Sequence, residues 1–255
     1  MNDPAKIEIC NVHKAYRVNG QRVQALAGVS LRAAAGTFVT IIGPSGCGKS
    51  TLFSIICGLQ QPDRGEIHFD GVTVDERAGT VGYMPQRDLL MPWRQVLDNV
   101  ILGPEVRGDD IAAARREARE LLPLFGLEGF ADSYPPALSG GMRQRAALLR
   151  TFLCQKDVML LDEPFGALDA ITRNSLQRWL LQVWQRFRHT ILFITHDVEE
   201  AVFLSDYVHV LTPRPGRVRF ELGIPLPRPR AREVVFTPEF AALKQQLLDA
   251  LTTEG

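Results

Sequence analysis

The stretch Gly43-Pro-Ser-Gly-Cys-Gly-Lys-Ser-Thr51 decides the fold of this chain. It follows a continuous apolar run, residues 37–43, which is typical of a strand buried on both faces, and it leads into a helical pattern that begins at Thr51. The spacing GxxxxGK(S/T) at such a junction predicts a loop that wraps around phosphate groups, because glycines let successive backbone N–H groups point inward. A glycine-rich turn with a surface lysine is the structural alternative, and it does not account for strand, loop and helix in this order.

Each part of this loop has an expected role in binding a nucleotide. The ammonium group of Lys49 can reach the β- and γ-phosphates, and the hydroxyl of Ser50 can bind Mg²⁺. The N-terminus of the following helix adds a partial positive charge, which attracts an anion. Cys47 is expected to face the nucleotide, so that bound ATP protects its thiol from alkylation. The predicted contacts come from Gly43, Ser45, Gly46, Cys47, Gly48, Lys49, Ser50 and Thr51.

A second apolar run, residues 158–162, ends in two adjacent carboxylates, Asp162 and Glu163. Because strand ends at one edge of a parallel sheet converge on a ligand crevice, we expect both side chains near the phosphate loop. Asp162 can hold Mg²⁺ through its water shell, and Glu163 can accept a proton from an attacking water. An Asp-Glu pair taken alone is equally well explained as a helix N-cap. Next to a phosphate loop, the pair favours hydrolysis.

The rest of the chain favours an α/β fold with a parallel sheet. Two further apolar runs, residues 190–195 and 207–212, are typical of buried strands. Helical patterns lie between the runs, and strands that alternate with helices indicate a parallel sheet. One helical stripe consists of Leu176, Trp179, Leu180, Val183, Trp184 and Phe187.

Two other segments depart from this alternation. The first 35 residues have the pattern of strands, interrupted by the hairpin signal Asn19-Gly20. Residues 87–155 have little strand pattern, and Asp109 or Asp110 is placed to cap a helix within them. We therefore predict a helical subdomain inserted into the sheet domain.

A further group of motifs carries a family resemblance. Residues 138–145, Leu-Ser-Gly-Gly-Met-Arg-Gln-Arg, are similar to the LSGGQ signature of ATP-binding-cassette (ABC) transporters, with Met142 where glutamine is commonest. Over residues 5–215 the chain resembles the nucleotide-binding subunit of such a transporter. The remaining markers occur in the family's order: Tyr16 as the aromatic A-loop, Gln86 as the Q-loop, Ala167-Leu168-Asp169 as the D-loop and His196 as the H-loop.

The resemblance implies a fold and an activity. The fold is α/β, with a P-loop NTPase (RecA-like) core, an N-terminal antiparallel β subdomain and an inserted α-helical subdomain. The activity is ATP hydrolysis with Mg²⁺. The predicted domains are an ATPase domain, residues 1–215, with its core in 1–86 and 156–215 and its helical subdomain in 87–155, and an Arg/Pro-rich segment with a C-terminal helix, residues 216–255.

The family's site residues carry over to matching positions. Tyr16 is implied to stack on adenine, and Gln86 to contact the metal or the water while linking the core to the helical subdomain. His196 is implied to bind the γ-phosphate or the attacking water. A purely structural role is the alternative for His196. Its position at the edge of the sheet favours the catalytic role instead.

The signature implies a second subunit. Ser139, Gly140 and Gly141 begin a helix whose N-terminus can bind an anion, and in the family this loop binds the γ-phosphate held by another chain. Asp169 is implied to lie at the dimer interface. The resemblance therefore predicts a homodimer, or a paired ATPase subunit, with two ATP molecules between two chains. A Ser-capped helix is the structural alternative.

The resemblance also implies membrane partners. Residues 87–100 are similar to the family's docking surface for a permease, with Leu89, Leu90 and Trp93 expected to be exposed unless they belong to the core. Free-standing subunits of this kind resemble importers that are fed by a solute-binding protein, here of the nitrate/sulfonate/taurine group. Importers of a pyrimidine or riboflavin precursor have similar sequence segments and are the alternative. ABC ATPases that act on DNA or ribosomes rather than in transport are a more distant alternative.

Composition limits the other classes. The chain has 29 Lys+Arg and 29 Asp+Glu, so its net charge is zero and a nucleic-acid partner is not expected. Apolar runs are far shorter than the roughly 18 residues that a membrane span requires, and the N-terminus lacks a secretory signal pattern. We expect a protein on the cytoplasmic face of the plasma membrane. Cys10, Cys47, Cys57 and Cys154 form no zinc or disulfide pattern.

The C-terminal part is expected to be an extended, solvated segment followed by a helix. Residues 214–232 are rich in arginine and proline, and contact with anionic lipid is the alternative to solvation. Thr237-Pro238 is typical of a helix N-terminus. The apolar face of that helix consists of Phe240, Leu243, Leu247 and Leu251.

Overall fold

Residues 5–252 are described by the computed structural model of the protein, and residues 1–4 and 253–255, with which the two predicted domains begin and end, lie outside it. The strands are β1 (Ala5–Val18), β2 (Gln21–Ala34), β3 (Phe38–Ile42), β4 (Arg64–Phe69), β5 (Val72–Thr73), β6 (Gly82–Met84), β7 (Val158–Asp162), β8 (Thr190–Ile194), β9 (Tyr207–Leu211) and β10 (Val218–Gly223). The α-helices are α1 (Lys49–Ile56), α2 (Val96–Val100), α3 (Leu102–Arg107), α4 (Ile111–Leu121), α5 (Gly140–Phe152), α6 (Ala170–Phe187), α7 (Val198–Leu204) and α8 (Pro238–Thr252).

The described chain divides into two compact units. The first unit contains residues 5–80 and 188–252, and the second contains residues 81–187. The segment predicted to be an inserted helical subdomain, residues 87–155, falls inside the second unit.

An antiparallel sheet with the strand order β2-β1-β4-β5 forms one part of the first unit. Its long hairpin turns at Asn19 and Gly20, whose φ angles of 50° and 80° match a two-residue turn with left-handed backbone. Val18 and Gln21 are the last paired residues before the turn. The predicted hairpin is therefore confirmed.

Parallel strands form the other part of the first unit. β3 pairs in parallel with β8 on one side and with β9 on the other, and every side chain of β3 and β8 is buried. The apolar runs of the sequence thus form the buried strands that they predict. β10, which pairs antiparallel with β9, is not predicted from the sequence because it lies in the Arg/Pro-rich segment.

The second unit is built mainly from helices. Among its residues, all of which are described, the strands are β6 and β7, which pair in parallel. Asp110 caps α4, since its carboxylate accepts hydrogen bonds from the backbone N–H groups of Ala112 at 2.8 Å and Ala113 at 3.2 Å. The predicted stripe lies on α6, where Trp179 packs edge-on against Phe125 with 5.3 Å between ring centroids.

The C-terminal helix α8 begins as predicted. The hydroxyl of Thr237 accepts a hydrogen bond from the N–H of Phe240 at 3.2 Å, which satisfies one of the free donors of the first turn. Phe240, Leu243 and Leu247 are buried on one face of the helix. This face packs on α7 and β9 of the same unit.

The second half of the arginine-rich segment is packed rather than solvated. Arg230 is only 6% exposed, and its guanidinium donates hydrogen bonds of 2.7–3.4 Å to five backbone carbonyls. Three of them lie at the C-terminal end of α7, where carbonyls lack a partner within the helix. The acceptors are the carbonyls of Val202, Phe203, Ser205, Ile224 and Leu226.

Two neighbouring arginines also have partners. Arg228 donates to the carboxylate of Asp206 at 2.8 Å, and Arg232 to that of Glu199 at 2.6 Å. Burial and the nearby charge of Arg228 lower the pKa of Arg230 to about 10, so it remains charged at neutral pH. The expectation of a solvated segment or a lipid contact is therefore wrong for these three arginines.

None of the helices between residues 5 and 252 combines the length and the apolar character needed to cross a membrane.

Replacing Arg230 tests this packing. Arg230→Met removes donors to carbonyls that remain buried, so we expect the free energy of unfolding to fall by about 2–4 kcal/mol. Urea denaturation measures the change. The exposed Arg22 supplies the control, because Arg22→Met should change stability by less than about 0.5 kcal/mol. Equal stabilities of the two variants would contradict the prediction.

Candidate nucleotide-binding site

Glycines shape the loop that follows β3. Gly46 and Gly48 have φ angles of 75° and 108°, which side-chain-bearing residues rarely adopt. A Cβ atom on Gly48 would lie 2.6 Å from Cδ2 of Leu26 and 2.9 Å from the carbonyl oxygen of Ala25. The loop therefore needs glycine at position 48 both for its backbone conformation and for its close approach to β2.

The side chain of Lys49 lies against this loop. It is 7% exposed, and its ammonium group donates hydrogen bonds to the carbonyl oxygens of Gly43 at 2.7 Å and Pro44 at 3.1 Å. Its positive charge is thus held at the loop backbone. Ser45 and Gly46 are exposed on the same loop, and Ser50 is exposed in the first turn of α1.

Cys47 does not have the expected orientation. Its side chain is 1% exposed, and Sγ lies 3.0 Å from where a Cβ on Gly43 would be. Nζ of Lys49 lies 3.7 Å from Sγ. Because the thiol is buried, the expectation that it is open to alkylation is wrong. Contact between the Cys47 backbone and a phosphate remains a prediction.

Tyr16 lies beside the first turn of α1. Its hydroxyl donates a hydrogen bond to Oε1 of Gln60 at 2.6 Å and lies 3.4 Å from the hydroxyl of Thr51. The ammonium group of Lys14 is 5.9 Å from the ring centroid. The ring is therefore anchored at its polar end, close to the residue that ends the phosphate-loop motif.

His196 lies at the same edge of the parallel strands as the loop. The last paired residues of β3 and β8 are Ile41 and Ile194, each two residues before Gly43 and His196 respectively. The His196 side chain is exposed. Asp197 follows it and caps α7 by accepting hydrogen bonds from the N–H groups of Glu199 and Glu200.

The second unit brings two predicted catalytic residues together. The side-chain amide of Gln86 donates a hydrogen bond to Oε2 of Glu163 at 3.3 Å. Glu163 has a φ angle of 45°, a conformation that is uncommon for a side-chain-bearing residue and often found at functional sites. Asp162 ends β7 and is 4% exposed.

The segment after Gln86 is attached to α5. Arg143 donates to the carboxylate of Asp88 at 3.3 Å, and Arg150 donates to the carbonyls of Asp88 at 2.5 Å and Leu89 at 2.7 Å. Burial lowers the pKa of Arg150, while the charge of Asp88 opposes this shift. These contacts cannot be predicted from the sequence, because the residues around Arg143 and Arg150 do not indicate which distant groups they bind.

The signature residues lie at the N-terminus of α5. The hydroxyl of Ser139 accepts a hydrogen bond from the N–H of Met142 at 3.2 Å and thereby caps the helix. A Cβ on Gly140 would lie 3.4 Å from Leu168, and one on Gly141 would lie 3.0 Å from Thr172. The start of α5 therefore packs against the start of α6.

Asp169 caps α6. Its carboxylate accepts hydrogen bonds from the N–H groups of Ile171 at 3.1 Å and Thr172 at 3.0 Å. Hydrogen bonds from Thr172, mainly from its backbone, lower the pKa of Asp169. The predicted D-loop and signature residues are thus neighbours in the second unit.

The loop before α2 presents apolar side chains. Trp93 is 73% exposed and Leu89 is 58% exposed, as expected, whereas Leu90 is 7% exposed and belongs to the core. The expectation that Leu90 is exposed is therefore wrong.

Asn99, which the sequence analysis missed, fixes this loop. Its side-chain oxygen accepts a hydrogen bond from the N–H of Met91 at 2.7 Å. Its amide donates to the carbonyls of Met91, Arg94 and Gln95 at 2.9–3.1 Å. An asparagine within an apolar helical pattern was the available signal, since a buried polar side chain requires partners.

The comparison with known families decides the assignment. Residues 26–166, more than half of the chain, match the family model described as ABC transporter. The chain belongs to the ABC transporter family. As an ABC ATPase, it hydrolyses ATP to ADP and phosphate.

Named relatives and a solved structure are similar to this ABC ATPase. The taurine import ATP-binding protein of Pseudomonas aeruginosa is 42% identical over 92% of the chain and 91% of the relative. The aliphatic sulfonates import ATP-binding protein of Bacillus cereus is 37% identical over 98% and 97%. A dimeric ATP-binding cassette in a post-hydrolysis state with ADP and Pi matches with a TM-score of 0.74 and 30% identity, over 86% of the chain and 98% of that structure.

The residues predicted for Mg²⁺ supply suitable ligands. Ser50 offers a hydroxyl, Gln86 an amide oxygen and Asp162 a carboxylate. Mg²⁺ prefers oxygen ligands and is usually bound by one or two carboxylates together with substrate phosphates and water. Each of these oxygen groups is therefore of a kind that Mg²⁺ binds.

Alanine at position 48 tests the loop of the ABC ATPase. Gly48→Ala combines an unfavourable φ angle with contacts of 2.6 Å and 2.9 Å to β2, so we expect ATP affinity to fall by about 100-fold or more. Gly20→Ala is the matched control, because Gly20 also has a positive φ angle but nothing lies within 4 Å of its added Cβ. Nucleotide titration of both variants measures the difference, and a loss of affinity in Gly20→Ala of the same size would contradict the interpretation.

Proposed function

We propose that this ABC ATPase powers the import of a small sulfonate-type anion, such as taurine, through a separate membrane permease fed by a solute-binding protein. The named relatives are import ATP-binding proteins for taurine and for aliphatic sulfonates, and they match nearly the whole chain. One observation supports coupling between ATP hydrolysis and the permease. The exposed Trp93 lies on a loop that begins directly after Gln86, whose amide contacts Glu163. A face for a partner is therefore continuous with the catalytic carboxylate.

In the proposed reaction, the phosphate loop binds the triphosphate. The positively charged ammonium group of Lys49 attracts the negatively charged β- and γ-phosphates, and the N–H groups at the start of α1 donate hydrogen bonds to them. Tyr16 stacks on adenine. Ser50, Asp162 and Gln86 are the residues that would hold Mg²⁺, and the ion would then supply positive charge to the phosphates.

Glu163 acts as the general base. It accepts a proton from water, the water oxygen attacks the γ-phosphorus, and the bond to the ADP oxygen breaks, which gives ADP and phosphate. Gln86 orients the Glu163 carboxylate through the hydrogen bond between them. His196 donates a hydrogen bond to the γ-phosphate and stabilises the charge that it carries.

The complete site is proposed to need two chains. Ser139 and Asp169 lie at the N-termini of α5 and α6, which carry partial positive charge, and both residues are exposed. A similar cassette is dimeric in its ADP and Pi state. Ser139, Gly140 and Gly141 of one chain are accordingly proposed to bind the γ-phosphate held by Lys49 of the other.

Replacing Glu163 tests the chemical step. Glu163→Gln keeps the size of the side chain but removes the base, so kcat should fall by about 10²–10⁴-fold while ATP binding is retained. Glu120→Gln, at an exposed position on α4, should leave kcat unchanged. Phosphate release and nucleotide titration measure the two quantities. Near-normal hydrolysis by Glu163→Gln would exclude Glu163 as the base.

Replacing Trp93 tests the partner face. Trp93→Ala should leave the basal ATPase of the purified chain unchanged, since the side chain is 73% exposed, but it should lower transport by about tenfold or more by removing an aromatic anchor. Phe236→Ala removes an aromatic side chain that is 84% exposed elsewhere and serves as the control. Equal transport by the two variants would contradict the assignment of the face.

The cargo is tested in cells that lack this chain. Taurine and alkanesulfonate uptake should return when the wild-type chain is supplied and should not return with Glu163→Gln. Leucine uptake serves as the unrelated control. Sulfonate uptake that persists without the chain, or that Glu163→Gln restores, would contradict the proposed function.

A further inference from the structure

A turn in the arginine-rich segment contacts the phosphate loop. It comprises residues 212–217, between β9 and β10. Nε of Arg214 donates a hydrogen bond to the carbonyl oxygen of Gly46 at 3.1 Å. Two residues later, a Cβ on Gly216 would lie 2.2 Å from the carbonyl oxygen of Cys47. The turn therefore touches two successive residues of the loop.

The turn is itself fixed to β2. The N–H of Gly216 donates to the carbonyl of Ala25 at 2.9 Å, and the N–H of Ala27 donates to the carbonyl of Gly216 at 2.9 Å. Thr212 and Arg217 close the turn, because the N–H of each donates to an oxygen of the other, at 2.9 Å and 3.0 Å. Arg214 thus reaches the loop from a rigid base.

Hydrogen bonds connect Arg214 to Lys49. The carbonyl of Gly46 and the N–H of Cys47 belong to one planar peptide unit. Arg214 holds the carbonyl, and the N–H donates to the carbonyl of Pro44 at 3.3 Å. The same Pro44 oxygen accepts a hydrogen bond from the ammonium group of Lys49 at 3.1 Å. The orientation of that peptide is therefore fixed from both sides, next to the acceptor that holds Lys49.

We propose that Arg214 is a positioning residue for nucleotide binding: by holding the Gly46 carbonyl, it keeps the phosphate loop and Lys49 in the geometry that accepts the triphosphate. This inference rests on the proposed binding of ATP by residues 43–51. A hydrogen bond from a charged donor is stronger than one between neutral groups. The single side chain of Arg214 can therefore hold the Gly46 carbonyl although it is exposed. Loss of that support weakens nucleotide binding equally in the ground state and in the transition state. The loss therefore raises KM and leaves kcat unchanged.

Steady-state ATPase measurements on the full chain with Mg²⁺ and ATP test the proposal. Arg214→Ala should raise KM by about tenfold and change kcat by less than about twofold. Arg214→Lys should recover most of the loss, because an ammonium group can also donate to the Gly46 carbonyl. Arg217→Ala is the matched control, since it removes the same charge from the same turn, whereas Arg217 supports the turn through its backbone. Its KM should equal that of the wild-type protein.

Three results would overturn the inference: an unchanged KM in Arg214→Ala, an equal rise in KM in Arg217→Ala, or a rise in KM in Arg214→Ala that Arg214→Lys does not reduce. Thermal unfolding without nucleotide checks that each variant is folded, and Arg214→Met, which has no donor, replaces the alanine variant if that one is not. Lys49→Ala separates this test from that of the proposed function. If Lys49→Ala loses ATP binding while Arg214→Ala retains it, only the role of Arg214 fails; if Lys49→Ala also binds ATP normally, the proposed loop function fails as well.

Discussion

The burial of β3 between two parallel neighbours is the constraint on which the first unit depends. All five of its side chains are buried, and removing the four apolar ones, Phe38, Val39, Ile41 and Ile42, from water contributes about 1.5–3 kcal/mol each. Because the strand is buried on both faces, the backbone can form a loop only where the strand ends, at the edge of the sheet. The phosphate loop and His196 lie at that edge because β3 and β8 run in the same direction. The positions of the candidate catalytic groups thus follow from hydrophobic burial.

Much of the fold could be predicted from the sequence where the signals are local. The phosphate-loop pattern, the apolar runs and the Asn19-Gly20 turn each depend on neighbouring residues, and each forms the element that it predicts. The helix caps at Asp110 and Thr237 are of the same kind, because a cap bonds to backbone groups two or three residues away. Gln86 and Glu163 are in contact, while their roles in hydrolysis stay predictions.

The sequence did not predict features that depend on partners distant along the chain. Arg228 and Arg230 look like solvated charges in a proline-rich segment, yet Arg228 bonds to Asp206 and Arg230 to Ser205, each more than 20 residues earlier and around the end of α7. Cys47 was expected to face the nucleotide because its position in the motif does not reveal that the loop folds its side chain inward, next to Gly43. Leu90 and Trp93 are both apolar, and only the folded loop separates the buried side chain from the exposed one.

The hydrogen bonds of Asn99 have a consequence for association. A flexible loop that orders on binding loses conformational entropy, which opposes complex formation. Here the backbone around Trp93 is already tied down from within by one buried amide side chain. A membrane partner would meet a preformed surface, and little of its binding free energy would be consumed in folding that surface.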